Sequence, residues 1–599
     1  MRGRRLLATV VAVALLAMFI PAASAAQDAP AAFGAQDAPA KQTDTPTGLA
    51  AQGTLDVESD LNGGRRLPFA PGAKRTLRRA VGRSQPLGAV SAQDVGETRM
   101  WMAMDTLVQP HVYFKDYTLR GIGANIEVWV AHDNDGVSTN IQFPTGDCRN
   151  GVRTTITDEQ VDYLIGEYDN NILPDESRVF STAPDRDGTN AVPGIPATYF
   201  RGEGDNVVVL VDNVRDDNFY DRNNSRNLPY IGGFFSPFFN ELVDRNIMTI
   251  DAYDWLHRTT ATPPHDPVPG NNCASAPARP FSYEETFAHE YQHLLHHYED
   301  ANEVSWVNEG LSMWVEKLTE YSRPALPVTE IGHSPHVQCF LGFVGRLTDA
   351  NPNPRPGGPE NSLTWWGDQA GEVVCDYGAA YTMMLLLEQR FGEDFMTRLH
   401  RSDGIGLAGL QSLLAAQGAN AAGVLHDWAA MVALDHVLDA GATLHGGSAA
   451  DYQVDALNAR VNWHTPNAYS SPGAPPNGSD YVRLRGAAGR FLDAGSIEQI
   501  IFDGAESLPG RVPGTRAGPV SGFTLRLVAY TRDRSEAWIA PVRLGAGSRA
   551  VLGRRQIAVA IGASAELVGA IVTYDEPTER VTQYAPYRLV VNGVRQPGG

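Results

Sequence analysis

The stretch FAHEYQHLLHHYED, residues 287–300, combines histidines and acids in a segment whose apolar residues recur at helical spacing. On a helix, His289 and His293 lie one turn apart, roughly 6 Å, which suits two imidazole nitrogens at about 2.1 Å from one metal ion. Glu290 lies between this face and the apolar stripe. It is placed to take a proton from a metal-bound water rather than to bind the metal, as in the HExxH motif.

A second segment, WVNEGLSMWVEKL at residues 306–318, repeats this geometry. Its apolar residues form one stripe, and Glu309 lies opposite that stripe. If the two helices pack their stripes into one core, His289, His293 and Glu309 face one cleft. Three protein ligands leave the fourth position of a tetrahedral zinc ion open, as catalytic sites require. Gly310, which costs a helix about 1 kcal/mol relative to Ala, indicates the close approach of another backbone.

Three other residues are alternative ligands. His296 lies seven residues beyond His289, roughly 10 Å along a straight helix, so we expect it at the surface. Glu299 has the third-ligand spacing of zinc peptidases in which the motif continues into a Gly bend, but His296 occupies that Gly position. Glu316 shares a face with Glu309 and is interpreted as an exposed acid, with a metal ligand or a partner of a ligand as the alternatives.

The elements that must position these residues begin with an α/β pattern. Strand patterns are found at 98–105, 124–131 and 206–214. Residues 246–257 read as a strand, or as a strand that runs into a helix. A helix capped by Thr157 and Glu159 is expected to run to Pro174. This alternation predicts an N-terminal α/β lobe ahead of the histidine helix.

The histidine helix and the segments after it predict a mainly helical lobe. Ser282 and Glu285 match a capping box, so we expect the helix to begin near Tyr283. Residues 375–392 and 421–437 are apolar at helical spacing. From about Tyr481, short apolar runs separated by Gly, Pro and Asp predict a terminal β-sandwich, and one of these runs is QIAVAIG at 556–562.

The N-terminus has the pattern of a secretory signal peptide. Arg2, Arg4 and Arg5 precede an apolar run, and Ala23–Ala25 supplies small residues for cleavage. An uncleaved anchor helix is the alternative. We therefore expect a secreted protein with a signal peptide at 1–25, a low-complexity linker or pro-segment at 26–95, an α/β plus α catalytic domain at 96–460 and a β-sandwich accessory domain at 480–599.

Four cysteines form an even set in a chain with an export signal, so we expect two disulfide bonds. The sequence allows three connectivities, and we favour Cys148 with Cys273 and Cys339 with Cys375. The net charge of −21 argues against nucleic-acid binding, which needs clustered Lys and Arg. We expect a monomer without stable membrane insertion, whose partner is a protein or peptide substrate.

A second acidic stretch, DNVRDDNFYD at residues 212–221, follows a predicted strand. Asp212, Asp216, Asp217 and Asp221 are oxygen ligands of the kind that calcium prefers, although their spacing is not that of an EF-hand. A solvated acidic turn is the favoured interpretation, and a structural Ca²⁺ site is the alternative.

HEYQH followed by NEGL resembles the gluzincin metallopeptidases, in which HExxH supplies two histidines and a downstream Glu supplies the third ligand. The sequence pattern of residues 95–437 is similar to that of secreted bacterial peptidases of the hyicolysin and immune inhibitor A types. The latter have Gly where this chain has His296. The resemblance implies a zincin-like catalytic domain, catalytic zinc on His289, His293 and Glu309, and Glu290 as general base.

The resemblance also implies one further catalytic residue. Gluzincin aminopeptidases have a tyrosine just before a Gly-Ala helix, where it donates a hydrogen bond to the tetrahedral intermediate, and Tyr377 occupies that place in CDYGAAY. A core or cap tyrosine is the alternative. The resulting hypothesis is a secreted zinc endopeptidase. Its alternatives are a catalytically silent surface-binding protein on a peptidase scaffold and a zinc amide hydrolase of narrow specificity.

Overall fold

The structure is a computed structural model that describes residues 94–596 except for 109–110, 133–140, 193–198, 222–230, 269–270, 272, 329, 331, 344–358, 368–372, 464–472, 505–521, 578 and 580–582. The expected signal peptide and almost all of the expected linker lie outside these residues. The described part is a mixed α/β structure with three sheets. None of its helices is long and apolar enough to cross a membrane.

The strands are β1 (Thr98–Met104), β2 (Val112–Ile122), β3 (Ile126–Ala131), β4 (Val207–Asp212), β5 (Gly233–Phe235), β6 (Asn246–Asp251), β7 (Thr443–His445), β8 (Gly478–Arg483), β9 (Gln499–Asp503), β10 (Gly522–Tyr530), β11 (Glu536–Val542), β12 (Arg549–Gly553), β13 (Leu567–Asp575), β14 (Arg588–Val591) and β15 (Val594–Arg595).

The α-helices are α1 (Asp158–Glu167), α2 (Leu173–Val179), α3 (Asp217–Tyr220), α4 (Pro237–Val243), α5 (Trp255–Arg258), α6 (Ser282–Glu299), α7 (Ser305–Leu318), α8 (Pro335–Phe340), α9 (Val373–Phe391), α10 (Glu393–His400), α11 (Gly406–Ala416), α12 (Ala421–Asp439) and α13 (Arg554–Ile561). Short 3₁₀ turns lie at Val152–Thr154, Ala449–Asp451 and Ala494–Ser496.

The N-terminal sheet has six strands in the order β1-β2-β3-β4-β6-β5. The strands β3, β4 and β6 are parallel, whereas β1, β2 and β5 pair antiparallel with their neighbours. Every residue of β3, β4 and β6 is buried. This burial explains their nearly continuous apolar runs, because a sheet covered on both faces has no polar side. The predicted α/β lobe is present.

The helix that follows Thr157 differs from its prediction at its C-terminal end. Thr157 caps α1 as expected, although Gln160 completes the capping box. The helix does not end at Pro174. It passes through a π-helical turn, Tyr168–Ile172, into α2, where Pro174 lies in the first turn. The π-helical turn lies just before this proline, which has no N–H to donate to the preceding turn.

The predicted helical lobe is also present, with α6, α7, α9 and α12 as its long helices. Gly310 on α7 lies close to α9, but to side chains rather than to the backbone that was expected, because an added Cβ would lie 2.8 Å from Met384 Cε. A Cβ on Gly378 of α9 would lie 2.1 Å from the carbonyl oxygen of His336 on α8. The Cys339–Cys375 disulfide joins the same two segments.

The C-terminal part is rich in strands, with sheets in the orders β13-β10-β11-β7 and β12-β9-β14-β15. Both sheets contribute to one hydrophobic cluster, as a sandwich requires. The segment QIAVAIG is not a strand: it forms most of α13. Ile557 and Ile561 are buried on one face at a spacing of four, and Gly562 with φ 67° ends the helix.

Both predicted disulfide bonds, Cys148–Cys273 and Cys339–Cys375, are confirmed. No cysteine of the chain is left free. The strand β7 lies between α12 and the C-terminal strands in sequence, but it pairs parallel with β11 and so belongs to a C-terminal sheet.

Candidate metal centre

The histidine helix α6 begins at Ser282, one residue before the predicted start, and the predicted capping box is wrong. The residue before the helix is Phe281, whose φ of 58° is left-handed and whose side chain offers no cap. Glu284 in the first turn accepts a hydrogen bond from the N–H of Thr260 instead of capping its own helix. The ring of Phe281 packs against that of Tyr321, and this aromatic contact holds the start of α6 in place.

The apolar stripe predicted for α6 is buried as expected, and Phe287 stacks on Tyr168 at 5.1 Å between ring centroids. The opposite face is buried too, because α7 and α10 cover it. The two imidazoles of the motif therefore lie inside the protein rather than on an open face. His289 is 6% exposed and His293 is 1% exposed.

Three ligand atoms converge between α6 and α7. His289 Nε2 lies 3.4 Å from Glu309 Oε2, and His293 Nε2 lies 3.3 Å from the same oxygen. One ligand atom from each of the three residues lies within 4.8 Å of the other two. Among the described residues, this is the one group of three or more such side chains that could hold a metal ion.

The chemistry of this group fits a divalent cation. Glu309 is fully buried, and neither of its carboxylate oxygens accepts a hydrogen bond from the described residues. A buried carboxylate without a hydrogen-bond donor is costly unless a cation compensates it. Two imidazole nitrogens and one carboxylate oxygen form a donor set that zinc and other first-row divalent ions accept.

His289 is oriented by Glu316, whose Oε1 lies 3.0 Å from His289 Nδ1. A carboxylate in this position accepts from Nδ1–H, and the neutral ring then turns the lone pair of Nε2 toward Glu309. Burial raises the pKa of the Glu316 carboxyl, and the hydrogen bond from His289 opposes that shift. The interpretation of Glu316 as an exposed acid is therefore wrong, and the alternative, a partner of a ligand, holds.

His293 is oriented by two residues of α7 that sequence reasoning missed. Its Nδ1 lies 3.0 Å from Ser312 Oγ and 3.3 Å from Asn308 Oδ1. Both partners follow from the spacing, because Asn308 and Ser312 flank Glu309 on α7 within one helical turn. Polar residues within one turn of a proposed ligand on a facing helix were the signal that could have identified them.

Glu290 lies beside the group and is 2% exposed. Its Oε2 accepts a hydrogen bond of 2.8 Å from the N–H of Phe235 in β5. The contact joins the helix that carries the two histidines to the edge strand of the N-terminal sheet. This hydrogen bond holds the Glu290 carboxylate against β5.

Tyr377 on α9 also lies next to the ligand group. Its ring centroid is 6.2 Å from that of His289, 5.1 Å from His336 and 5.0 Å from Trp366. The side chain is buried. This geometry is compatible with a core tyrosine, because His336 and Trp366 pack against the ring. It is equally compatible with a catalytic tyrosine, because the ring borders His289.

Two of the alternative ligands do not join the group. Glu299 is exposed at the C-terminal end of α6. The predicted surface position of His296 is wrong: the residue is 1% exposed, its Nδ1 lies 2.9 Å from Asn308 Oδ1, and its ring packs at a tilt with its centroid 4.9 Å from that of His400. The prediction failed because α10, about a hundred residues downstream, covers this face. Burial lowers the pKa of His296 to about 4.

One buried acid near this centre was not predicted. Glu176 on α2 is fully buried, and neither of its carboxylate oxygens has a hydrogen-bond partner among the described residues. Burial raises its pKa well above the ordinary value, and the charges of His289 and His293 oppose that shift. No motif marks this residue, because its burial depends on the packing of α2 and not on its neighbours in sequence.

The acidic stretch after β4 forms no such group among the described residues. Asp212 pairs with Lys115 at 2.7 Å and accepts a hydrogen bond from Tyr117. Asp216 caps α3 through the N–H of Phe219 and accepts a second bond from the N–H of Ile231. A calcium requirement stays a prediction, and the favoured solvated turn is wrong, because Asp212, Asp216 and Asp221 are buried.

The structure thus brings together His289, His293 and Glu309, and it places Glu290 and Tyr377 beside them. It leaves out Glu299 and assigns His296 and Glu316 to supporting contacts. The arrangement can hold one metal ion and keep an acid next to it. No protein-family model matches the chain, and no curated protein matches it either.

Proposed function

We propose that this protein is a secreted zinc-dependent endopeptidase with a zincin-like catalytic domain of the gluzincin type. The observation that carries the proposal is the buried convergence of His289 Nε2, His293 Nε2 and a carboxylate oxygen of Glu309. The three are held on two packed helices, with Glu290 one residue from the first histidine. Rigid helices are a favourable support for a metal site, which needs ligands fixed in both position and direction.

His289, His293 and Glu309 would hold the ion. Zinc, when bound, supplies a Lewis acid that polarises the scissile carbonyl and makes water acidic enough to attack near neutral pH. Glu290 takes the proton from the attacking water and passes it to the leaving amine. The N–H of Phe235 donates to Glu290 Oε2 and holds this carboxylate in place against β5.

A peptide substrate is implied by the resemblance of HEYQH and NEGL to the gluzincin metallopeptidases. Among the described residues, β5 pairs with β6 alone, all three of its residues are buried, and the N–H of Phe235 donates to Glu290. The role of β5 at the site is therefore to position that carboxylate.

Secretion is supported by the two disulfide bonds, which persist in oxidising compartments. The signal-peptide pattern at 1–25 points the same way. We interpret the C-terminal sheets as an accessory module: they enclose a hydrophobic cluster of their own, and they also pack against the main core through residues such as Val528, Ile539 and Ile571.

The test is metal content by mass spectrometry together with casein hydrolysis, on the purified exported protein and on Glu290→Gln. One zinc per chain in both proteins, with hydrolysis only in the parent, is the expected result. Zinc without hydrolysis in either protein would favour the amide hydrolase of narrow specificity or a latent enzyme. Absence of zinc from both would overturn the proposal in favour of the silent binding protein.

A further inference from the structure

A network of buried polar contacts extends from His293 away from the ligand group. Ser312 Oγ lies 3.0 Å from His293 Nδ1 and donates to Gln292 Oε1. Gln292 Nε2 lies 3.4 Å from His400 Nδ1, and His400 Nε2 lies 3.2 Å from Ser181 Oγ. Ser312, Gln292 and His400 are each 0% exposed. Residues from α6, α7 and α10 are thus joined behind one ligand.

The direction of the contact at His293 follows from the number of protons available. Ser312 has one hydroxyl proton, and two acceptors other than His293 lie within reach: Gln292 Oε1 and the carbonyl oxygen of Asn308 at 3.1 Å. A carbonyl oxygen cannot donate, so either contact directs that proton away from His293. When the proton goes to either acceptor, a lone pair of Ser312 faces Nδ1 of His293, and the tautomer that completes this contact carries its hydrogen on Nδ1. Nε2 is left as the nitrogen that points at Glu309.

The other end of the network fixes Gln292. Its amide nitrogen donates to His400 Nδ1, and the Nε2–H of His400 then donates to Ser181 Oγ. With its amide nitrogen engaged by His400, Gln292 turns its oxygen toward Ser312. Gln292, which directly precedes the second histidine of HEYQH, therefore has a role that a generic HExxH motif does not require.

We infer that Ser312 and Gln292 are positioning residues that hold His293 in the tautomer and ring orientation that a metal ion needs, with His400 as the remote support. The inference rests on the proposed metal site. It adds that the affinity of this site depends on side chains that never touch the ion, as partners of ligating histidines do in metal sites generally.

Asn308 limits the size of the expected effect. Its Oδ1 lies 3.3 Å from His293 Nδ1 and 2.9 Å from His296 Nδ1, so it can accept from His293 when Ser312 is absent. This longer contact is shared between two histidines and is the weaker of the two supports. We therefore expect Ser312→Ala to raise the zinc dissociation constant by roughly 10-fold, the lower end of the range for partners of ligands.

The experiment measures the zinc dissociation constant by chelator competition, and the free energy of unfolding of the metal-free form, on the full chain. The variants are Ser312→Ala, Gln292→Leu and the double variant. Ser479→Ala is the matched control, because Ser479 is also buried and shares its hydroxyl with Thr573 at 2.7 Å, in the C-terminal part of the chain. We expect weaker zinc binding in all three variants and unchanged binding in the control.

The double variant separates positioning from a general loss of packing. If Gln292 acts through Ser312, the double variant binds zinc no more weakly than Ser312→Ala, because the two substitutions remove one path. Zinc affinities of Ser312→Ala and Gln292→Leu equal to that of Ser479→Ala would overturn the inference while leaving the metal site intact. A parent that binds no zinc would overturn the proposed function as well. Gln292→Leu carries the test if Ser312→Ala does not fold.

Discussion

Two acidic regions of this chain were candidates for metal binding, and they use their oxygens differently. In the metal centre, the carboxylate of Glu309 is fully buried, accepts no hydrogen bond from the described residues and faces two imidazole nitrogens. In the acidic stretch after β4, Asp212 is paired with Lys115, and both oxygens of Asp216 accept backbone N–H groups. In the first region, the carboxylate of Glu309 has no hydrogen-bond donor among the described residues. In the second region, Asp212 and Asp216 are bonded to a lysine side chain and to backbone N–H groups, so their oxygens stabilise the fold.

The difference shows that the density of acidic residues is a poor guide to a metal site. Two N–H bonds, or a buried lysine, offset part of the cost of burying a carboxylate without an ion. The carboxylate of Glu309 receives no such bond from the described residues. Whether the ligand atoms are engaged by the protein itself is decided by tertiary contacts, which composition does not reveal.

Among the substitutions that test this contrast, Glu309→Gln should have the largest effect on zinc binding. Removing the charge and one ligand should lower zinc affinity by more than the roughly 10–100-fold that the loss of a ligand's partner causes. Asp216→Asn is the comparison variant in the acidic stretch and should retain one zinc per chain. Metal content after dialysis against a weak chelator measures both. Loss of zinc from Asp216→Asn, or its retention in Glu309→Gln, would break the contrast.

The next effect concerns a residue beside the metal centre rather than in it. If the hydroxyl of Tyr377 donates to the tetrahedral intermediate, Tyr377→Phe should lower kcat by about ten- to a thousandfold with little change in KM. Steady-state kinetics on a peptide substrate measures both constants. Tyr481→Phe removes a buried hydroxyl that donates to the carbonyl oxygen of Ala429, well away from the ligand group, and serves as the control. An unchanged kcat in Tyr377→Phe would leave Tyr377 as a core residue.

The metal ligands could be predicted because helical spacing fixes their geometry locally. His289 and His293 lie on one face of any α-helix, and the WVNEG segment repeats the same pattern with Glu309. The α/β order of the first lobe was also predictable, because it follows from chain order. The even number of cysteines predicted two disulfide bonds, but the sequence allowed three connectivities and the favoured one was confirmed only by the structure.

The predictions that failed depend on contacts between distant segments. His296 is buried because His400 packs on it, and Glu316 is buried because it meets His289 from another helix. The strand predicted at QIAVAIG failed for a different reason, since a short apolar run fits a strand or a helix equally well. Periodicity assigns a residue to a face of its element, but the packing of other elements decides whether that face is exposed.

The smallest effect tests the acidic stretch through pH. Burial raises the pKa of Asp216 to about 7 from its ordinary 3.8; the charge of Asp217 adds to this shift, whereas its backbone hydrogen bonds and Arg149 oppose it. A carboxyl whose pKa is raised by folding contributes stability below pH 3.8, and that contribution is lost as the pH rises toward 7. The free energy of unfolding should therefore fall across this window, by at most about 1.4 kcal/mol per pH unit from this group.

Asp216→Asn should flatten that fall, since an amide does not titrate. Asparagine caps helices about as well as aspartate. The free-energy cost of placing the asparagine amide against the N–H of Ile231 does not depend on pH. The readout is therefore the slope of the free energy of unfolding against pH, not its absolute value. Denaturant unfolding of both proteins between pH 4 and 7, with and without millimolar calcium, measures it. Calcium bound at Asp216 would favour the charged carboxylate, lower its pKa and flatten the slope of the parent. A slope that calcium leaves unchanged would mean that the oxygens of this stretch serve the fold, in contrast to those of Glu309.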